Sequence, residues 1–205
     1  MPLDNTKWRD RADRSLTITE QARRAQLIRV TIELVAQHGY PGTSLARIAE
    51  AADLSKAAVL YHFPSKDAVV RAAYATVLEG LTEHVSAAVE PLSGAAALEA
   101  YIRSLVGYLV EHPAYARVIV AAIAEDEEVT DRPNAPSRWQ TVGLLVEAAS
   151  AAGDHRVGPD PRITAVIING AIDAIVSEYL DDPRFDTTRA VDELVDLLTR
   201  ALGRS

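Results

Sequence analysis

The chain contains no cysteine. That absence removes disulfides, thiolate metal sites and thiol nucleophiles together, and it leaves the redox compartment open. No apolar run approaches the ~18 residues that would cross a bilayer. The polar N-terminus, with Lys7, Arg9, Arg11 and Arg14, has no apolar segment behind it to act as a secretory signal. The expectation is therefore a cytoplasmic protein with no membrane partner. No glycine-rich phosphate loop, GxSxG elbow or HExxH helix occurs. His38, His84, His112 and His155 are scattered without ligand spacing, so neither a metal site nor a cofactor is expected. The acids of the second half are too numerous for one pair to stand out as an acid/base couple.

What is present is an ordinary globular composition: 205 residues, 48% hydrophobic and 24% charged. That suits one or two domains around a sizeable core. Taken whole, a net charge of −8 argues against nucleic acid. Its distribution argues otherwise. Residues 1–71 hold 11 Lys+Arg against 8 Asp+Glu, whereas residues 72–205 hold 10 against 21, and all three lysines lie in the first part. A basic front on an acidic body suggests two jobs.

Helical patterning runs throughout. Thr17 and Glu20 form a capping box before Ala25, Ile28, Ile32 and Val35, and Gly39 sits where a C-terminal glycine belongs. A short helix follows, capped by Thr43 or Ser44, with Leu45, Ile48, Ala49 and Ala52 on one face. Asp53-Leu54-Ser55 separates it from a second short helix over 56–62. A long helix runs from 66 to about 90, with Val70, Ala73, Val77, Leu81 and Val85 in register. Beyond Pro91 to Gly94, helices are expected over about 95–111, 113–127, 137–152, 162–181 and 187–202. The result is an all-α chain.

The stretch Thr43–Phe63 is two short amphipathic helices joined by about three residues, a helix-turn-helix whose second helix can enter a major groove. Asp53 in the turn is a candidate for left-handed backbone, which Asp tolerates better than most residues. An ordinary helical corner in a bundle has the same spacing.

Gly39-Tyr40-Pro41-Gly42-Thr43-Ser44, Ile48-Ala49, Leu54-Ser55-Lys56 and Tyr61-His62-Phe63-Pro64-Ser65-Lys66-Asp67 resemble the N-terminal domain of the tetracycline-repressor (TetR) family, over about residues 20–75. The resemblance implies a homodimer with an N-terminal three-helix helix-turn-helix DNA-binding domain and a larger C-terminal helical domain for ligand binding and dimerisation. The corresponding division is a basic arm at 1–16, a DNA-binding domain at 17–80 with the helix-turn-helix at about 44–63, and an effector and dimerisation domain at 81–205. It also implies DNA contacts from Thr43, Ser44, Ser55, Lys56, Ala57, Ala58, Tyr61, His62 and Lys66. Phosphate contacts fall to Thr43, Ser44 and Lys66, and groove contacts to the residues of the second short helix. The chain departs from the family at Leu60, where many relatives carry Tyr, and at Asp53, where Gly is common.

In the second block, Tyr101, Leu105, Tyr108 and His112 form a stripe, as do Asn169, Asp173 and Ser177, and Trp139 heads a helix. Tyr101, Leu105, Tyr108, His112, Trp139, Asn169 and Asp173 are the candidates for an effector pocket. On family grounds, Val166, Gly170, Ala171, Ala174, Val191, Leu194, Val195 and Leu198 are the candidates for a two-fold interface. The resulting expectation is a homodimeric repressor, released from a palindromic double-stranded operator by a small-molecule effector. An all-helical enzyme with a degenerate DNA-binding head, and a DNA-binding regulator without an effector, are the alternatives.

Overall fold

The computed structural model describes residues 17–125, 136–156 and 160–203, with side chains at 122–125 and 136–138 left aside. The basic arm and the acidic run at 126–128 lie outside these residues. Within them the chain forms nine helices: α1 (Ile18–Gly42), α2 (Leu45–Ala51), α3 (Lys56–His62), α4 (Lys66–Val89), α5 (Gly94–Glu111), α6 (Pro113–Glu125), α7 (Pro136–Ala152), α8 (Pro161–Asp181) and α9 (Thr187–Leu202).

The sequence dictates most of these ends. The Thr17–Glu20 capping box forms with both of its hydrogen bonds. Ser44, Ser55 and Ser65 each accept a hydrogen bond from the backbone N–H three residues on, which starts α2, α3 and α4. Gly39 takes φ 68° and interrupts the helical backbone of α1 ahead of Pro41. Asp53 takes φ 53°, the one positive φ outside glycine among the described residues.

Other ends are made at a distance. Ser93 makes no side-chain cap to α5; Asp154, from the segment after α7, accepts from the Ala95 N–H at 2.9 Å instead. Gly94 makes room for it, because a Cβ there would lie 2.1 Å from the Asp154 carboxylate. The neighbouring His155 is buried and pairs with Gly203, while the Arg156 N–H donates to the Leu202 carbonyl at 2.7 Å. This tie fastens the end of α9 to the segment after α7.

Apolar side chains gather in successive clusters. Leu27, Ile48, Val59, Phe63 and Val69 close the core of α1 to α4. Ile32, Val35, Val70, Tyr74, Val77 and Val118 join α1, α4 and α6. Leu98, Ile102, Val142, Val146, Ile168, Ile172 and Val191 fill the space among α5, α7, α8 and α9.

One expectation needs correction. Val191, a candidate for the interface between copies, is buried in this last cluster, and Leu194, Val195 and Leu198 pack half-buried against it. Of the α9 stripe, Val191 is taken by the core of its own chain, while Leu194, Val195 and Leu198 remain partly exposed. The uncovered apolar row lies on α8, where Ile163, Val166 and Ile167 are exposed along with Gly170 and Ala174, and Ala171 is half-buried. By length and composition alone α8 also passes the test for a membrane-crossing helix, with a third of that window buried, a test that core helices pass as well, so it overturns no expectation. No unbroken apolar run revealed this, because Thr164, Asn169 and Asp173 interrupt it.

Left-handed backbone costs a residue with a Cβ roughly 1–2 kcal/mol. Gly94→Ala adds the clash with Asp154 to that cost, so a loss of roughly 1–2 kcal/mol or more is expected in urea unfolding. Asp53→Gly removes strain at the other site and leaves stability unchanged or raised by up to about 1 kcal/mol.

Candidate nucleic-acid interface and ligand cavity

The two short helices are held by side chains of α1. Arg24 lies 4.1 Å over the Phe63 ring and donates to the His62 carbonyl, an otherwise unpaired group at the end of α3. Gln26 does the same for α2, its amide donating to the Ala52 carbonyl at 3.1 Å. Sequence reasoning missed both, because their partners lie 38 and 26 residues away. Ile48, Ala49, Val59 and Phe63 point inward. The opposite side of α3 is left facing solvent.

That outer side carries Lys56 and Ala57, both exposed, with Ser55 at its start. Ala58 is half-buried, and its N–H is taken by Ser55. Tyr61 is 45% exposed and donates its hydroxyl to Glu20 at 2.9 Å, so α1 orients the ring. His62 is half-buried, edge-on to Tyr61 at 5.0 Å. Leu60 is half-buried as well, and Tyr61 supplies the hydroxyl on this helix.

Lys66 opens α4. Its ammonium sits 3.5 Å over the Tyr40 ring and donates to the Tyr40 carbonyl at 3.0 Å, while the Tyr40 hydroxyl donates to Asp67. One N–H of three is thus used, and the charge is fixed beside the start of the helix. Thr43 leaves the set of candidate contacts. It is buried, its hydroxyl donates to the Gly39 carbonyl at 2.9 Å, and Ser44 alone caps α2.

The second feature is a cavity of about 900 Å³ bounded by α4, α5, α7 and α8, with Ile119 of α6 at one side. Tyr101, Leu105, Asn169 and Asp173 line it. Tyr108, His112 and Trp139 do not. Gly80 leaves room for the Tyr108 hydroxyl, and Tyr108 lies between His84 at 4.9 Å and His112 at 4.6 Å, away from the α5 side that lines the cavity through Tyr101, Leu105 and Leu109. Trp139 is about 200° round α7 from the lining residue Thr141, at ~100° per residue. It packs on the core with Arg162 5.1 Å above its ring. The wall that the stripes on α5 and α8 did not reveal belongs to α4: Tyr74, Leu78, Leu81, Val85 and Val89. Its signal is an apolar stripe on α4 wider than one core needs. Among the described residues, no group of three His, Asp or Glu is placed to hold a metal.

Residues 27–73 match the family model for bacterial regulatory proteins of the tetR family. Over this segment the chain is similar to the DNA-binding end of the tetR family. RutR of Escherichia coli K12, an HTH-type transcriptional regulator, is 31% identical over 97 residues, 47% of this chain and 46% of RutR. BetI of Burkholderia cenocepacia HI2424, also an HTH-type transcriptional regulator, is 39% identical over 61 residues, 30% of this chain and 31% of BetI. The chain therefore spans less than half the length of the curated relatives it matches. Across the fold, FadR of Bacillus halodurans, a fatty acid degradation regulator, superposes with TM-score 0.75 over 87% of this chain and 98% of its own, at 18% identity. FadR of Bacillus subtilis, solved in complex with stearoyl-CoA, does so with the same values. The likeness of the helical body to both is one of fold.

Burial pulls the pKa of His62 below that of a free histidine, with the Arg24 charge acting the same way and Glu20 opposing. Burial does the same to His155, against Asp154. Both folded pKa values are depressed, so the unfolded chain binds more protons as the pH falls below the free value of about 6.5. Stability is full above that pH and declines below it. Urea midpoints are expected to fall between pH 7 and 5.5, and His62→Gln together with His155→Gln to flatten that slope. A slope unchanged by both substitutions would refute the assignment.

Proposed function

We propose that this chain is a DNA-binding transcriptional regulator: a cytoplasmic homodimeric repressor, released from a palindromic operator by a small-molecule effector. The observation that carries the reading is the solvent-facing side of α3, with Lys56, Ala57 and Tyr61 outward on a helix braced from behind by Arg24 and Phe63. In a helix-turn-helix this is the side that enters the major groove. Ser44 and Lys66 flank it as phosphate contacts, Lys66 as a point charge. Residues 17–80 form the reading head and 81–205 the body, with the boundary inside α4.

The uncovered row on α8 supports pairing of two copies, since an exposed apolar patch of this kind marks an interaction surface. An isologous contact between two such rows sets the two heads at a fixed spacing, about one helical turn of DNA or a multiple of it. The cavity favours a ligand-responsive regulator over a constitutive one. FadR of Bacillus subtilis, solved with stearoyl-CoA, supports the idea that this fold accommodates a ligand. Tyr74 both lines the cavity and packs with Ile32 and Val35 of α1, so a ligand against it bears directly on how the head is held. It shifts DNA affinity only through differential binding to two states, with about 1.4 kcal/mol per tenfold change.

Footprinting on DNA flanking the coding region is the deciding experiment. Protection of a palindrome supports the proposal, and its absence there and across the genome overturns it in favour of an enzyme with a degenerate head. Lys66→Ala is expected to weaken binding to all sequences and to lower the salt slope by about 1; an unchanged slope contradicts the phosphate role. Val166→Asp with Ile167→Asp is expected to give a monomer by light scattering that no longer protects both half-sites.

A further inference from the structure

Two cations are fastened to the turn that ends α1. Gly39 interrupts the helix, and the carbonyls of Tyr40 and Gly42 beyond it accept from side chains, as the last carbonyls of a helix often do. Lys66 donates to the first at 3.0 Å. Arg47, from α2, donates through its guanidinium to the second at 2.7 Å. The two anchoring residues lie within about 7 Å of each other along the backbone. Arg47 is exposed and uses one of its five N–H groups in this way.

Neither charge is held in an ion pair. Among the described residues, no such pair joins Lys66 to Asp67 or Arg47 to Glu50, although each acid is a near neighbour in sequence. The Asp67 carboxylate instead accepts from the Tyr40 hydroxyl. Ser44 lies three residues before Arg47, on the same side of α2. Its hydroxyl accepts from the Arg47 backbone N–H at 3.2 Å and keeps its own O–H to donate. The remaining guanidinium and ammonium N–H groups are donors as well. Phosphodiester oxygens are acceptors only, and a guanidinium meets them in pairs. One DNA strand carries a charge for every ~3.4 Å of axis, so cations anchored this close together face neighbouring phosphates of one strand.

We propose that Arg47 is a second phosphate-binding cation of the reading head, gripping with Lys66 neighbouring phosphodiesters of one DNA strand. The contact rests on the DNA-binding regulator proposed above. Phosphate contacts carry no sequence information, so two unrelated duplexes of equal length test it without knowledge of the operator. In anisotropy titrations of the full chain over a range of salt concentrations, Arg47→Gln is expected to weaken both duplexes several-fold alike. It is also expected to lower the salt slope by about 1, and together with Lys66→Ala by about 2. Arg47→Lys keeps the charge and is expected to keep the slope. A slope unchanged in Arg47→Gln, or lowered just as far in Arg47→Lys, overturns the proposal and leaves Arg47 as a brace for the turn. A slope that falls with Lys66→Ala but not with Arg47→Gln removes the Arg47 contact alone. A wild-type chain that binds neither duplex at low salt overturns the regulator and the contact with it.

Discussion

The packing of α1 and α6 onto α4, through Ile32, Val35, Val70, Tyr74, Val77 and Val118, is the interaction on which the rest of this structure depends. α4 has 24 residues, so at ~1.5 Å per residue it is a rod about 36 Å long with Lys66 at one end and the cavity wall along the other. Its first turns complete the core under the helix-turn-helix, through Val69. Its later turns, through Leu81 and Val85, enter a separate cluster with Leu109, Ala116 and Val176. A close-packed rod shared by two cores does not deform continuously. Displacement at one end is passed to the other as a rigid shift.

The parts legible in the sequence are those whose cause is local. Ser44, Ser55 and Ser65 act within three residues of themselves, so they read directly as helix starts. Gly39 and Asp53 announce left-handed backbone by their own chemistry. The parts that were not legible have partners far along the chain. Asp154 caps α5 from 59 residues away, and nothing around Ser93 or Gly94 says so. The candidate site divides in the same way. Lys56, Ala57 and Tyr61 lie within the local motif that resembles the tetR family, and the resemblance implies their role. The removal of Thr43 depends on a hydrogen bond to Gly39 that competes with the cap, and Thr43 and Ser44 are equally good caps on paper.

The second block was harder to read, because an apolar stripe does not say which neighbour covers it. Tyr101 and Tyr108 lie seven residues apart on one face of α5, yet only the first borders the cavity. Gly80 on another helix leaves room for the Tyr108 hydroxyl, and Tyr108 is held there between His84 and His112 while its neighbour Leu109 faces the cavity. On α9 the stripe through Val191 and Leu198 was a candidate for a partner chain on the strength of the family resemblance. Its own core takes Val191 and half covers Leu194, Val195 and Leu198, and the less conspicuous row on α8 is left outside.

Charge completes the division of labour. A body with 10 Lys+Arg and 21 Asp+Glu repels phosphate, which confines DNA to the head in the proposed regulator. The same excess makes two bodies repel each other, so any seam between copies has to draw its stability from something other than charge. The row of Ile163, Val166, Ile167, Gly170 and Ala174 meets that condition: it is uncharged, and its small residues permit close approach of helices. Salt screens the repulsion without weakening apolar contact, so rising ionic strength favours pairing while it weakens the hold on DNA. The two associations that a dimeric repressor needs thus respond oppositely to salt, and that follows from where this chain keeps its charges.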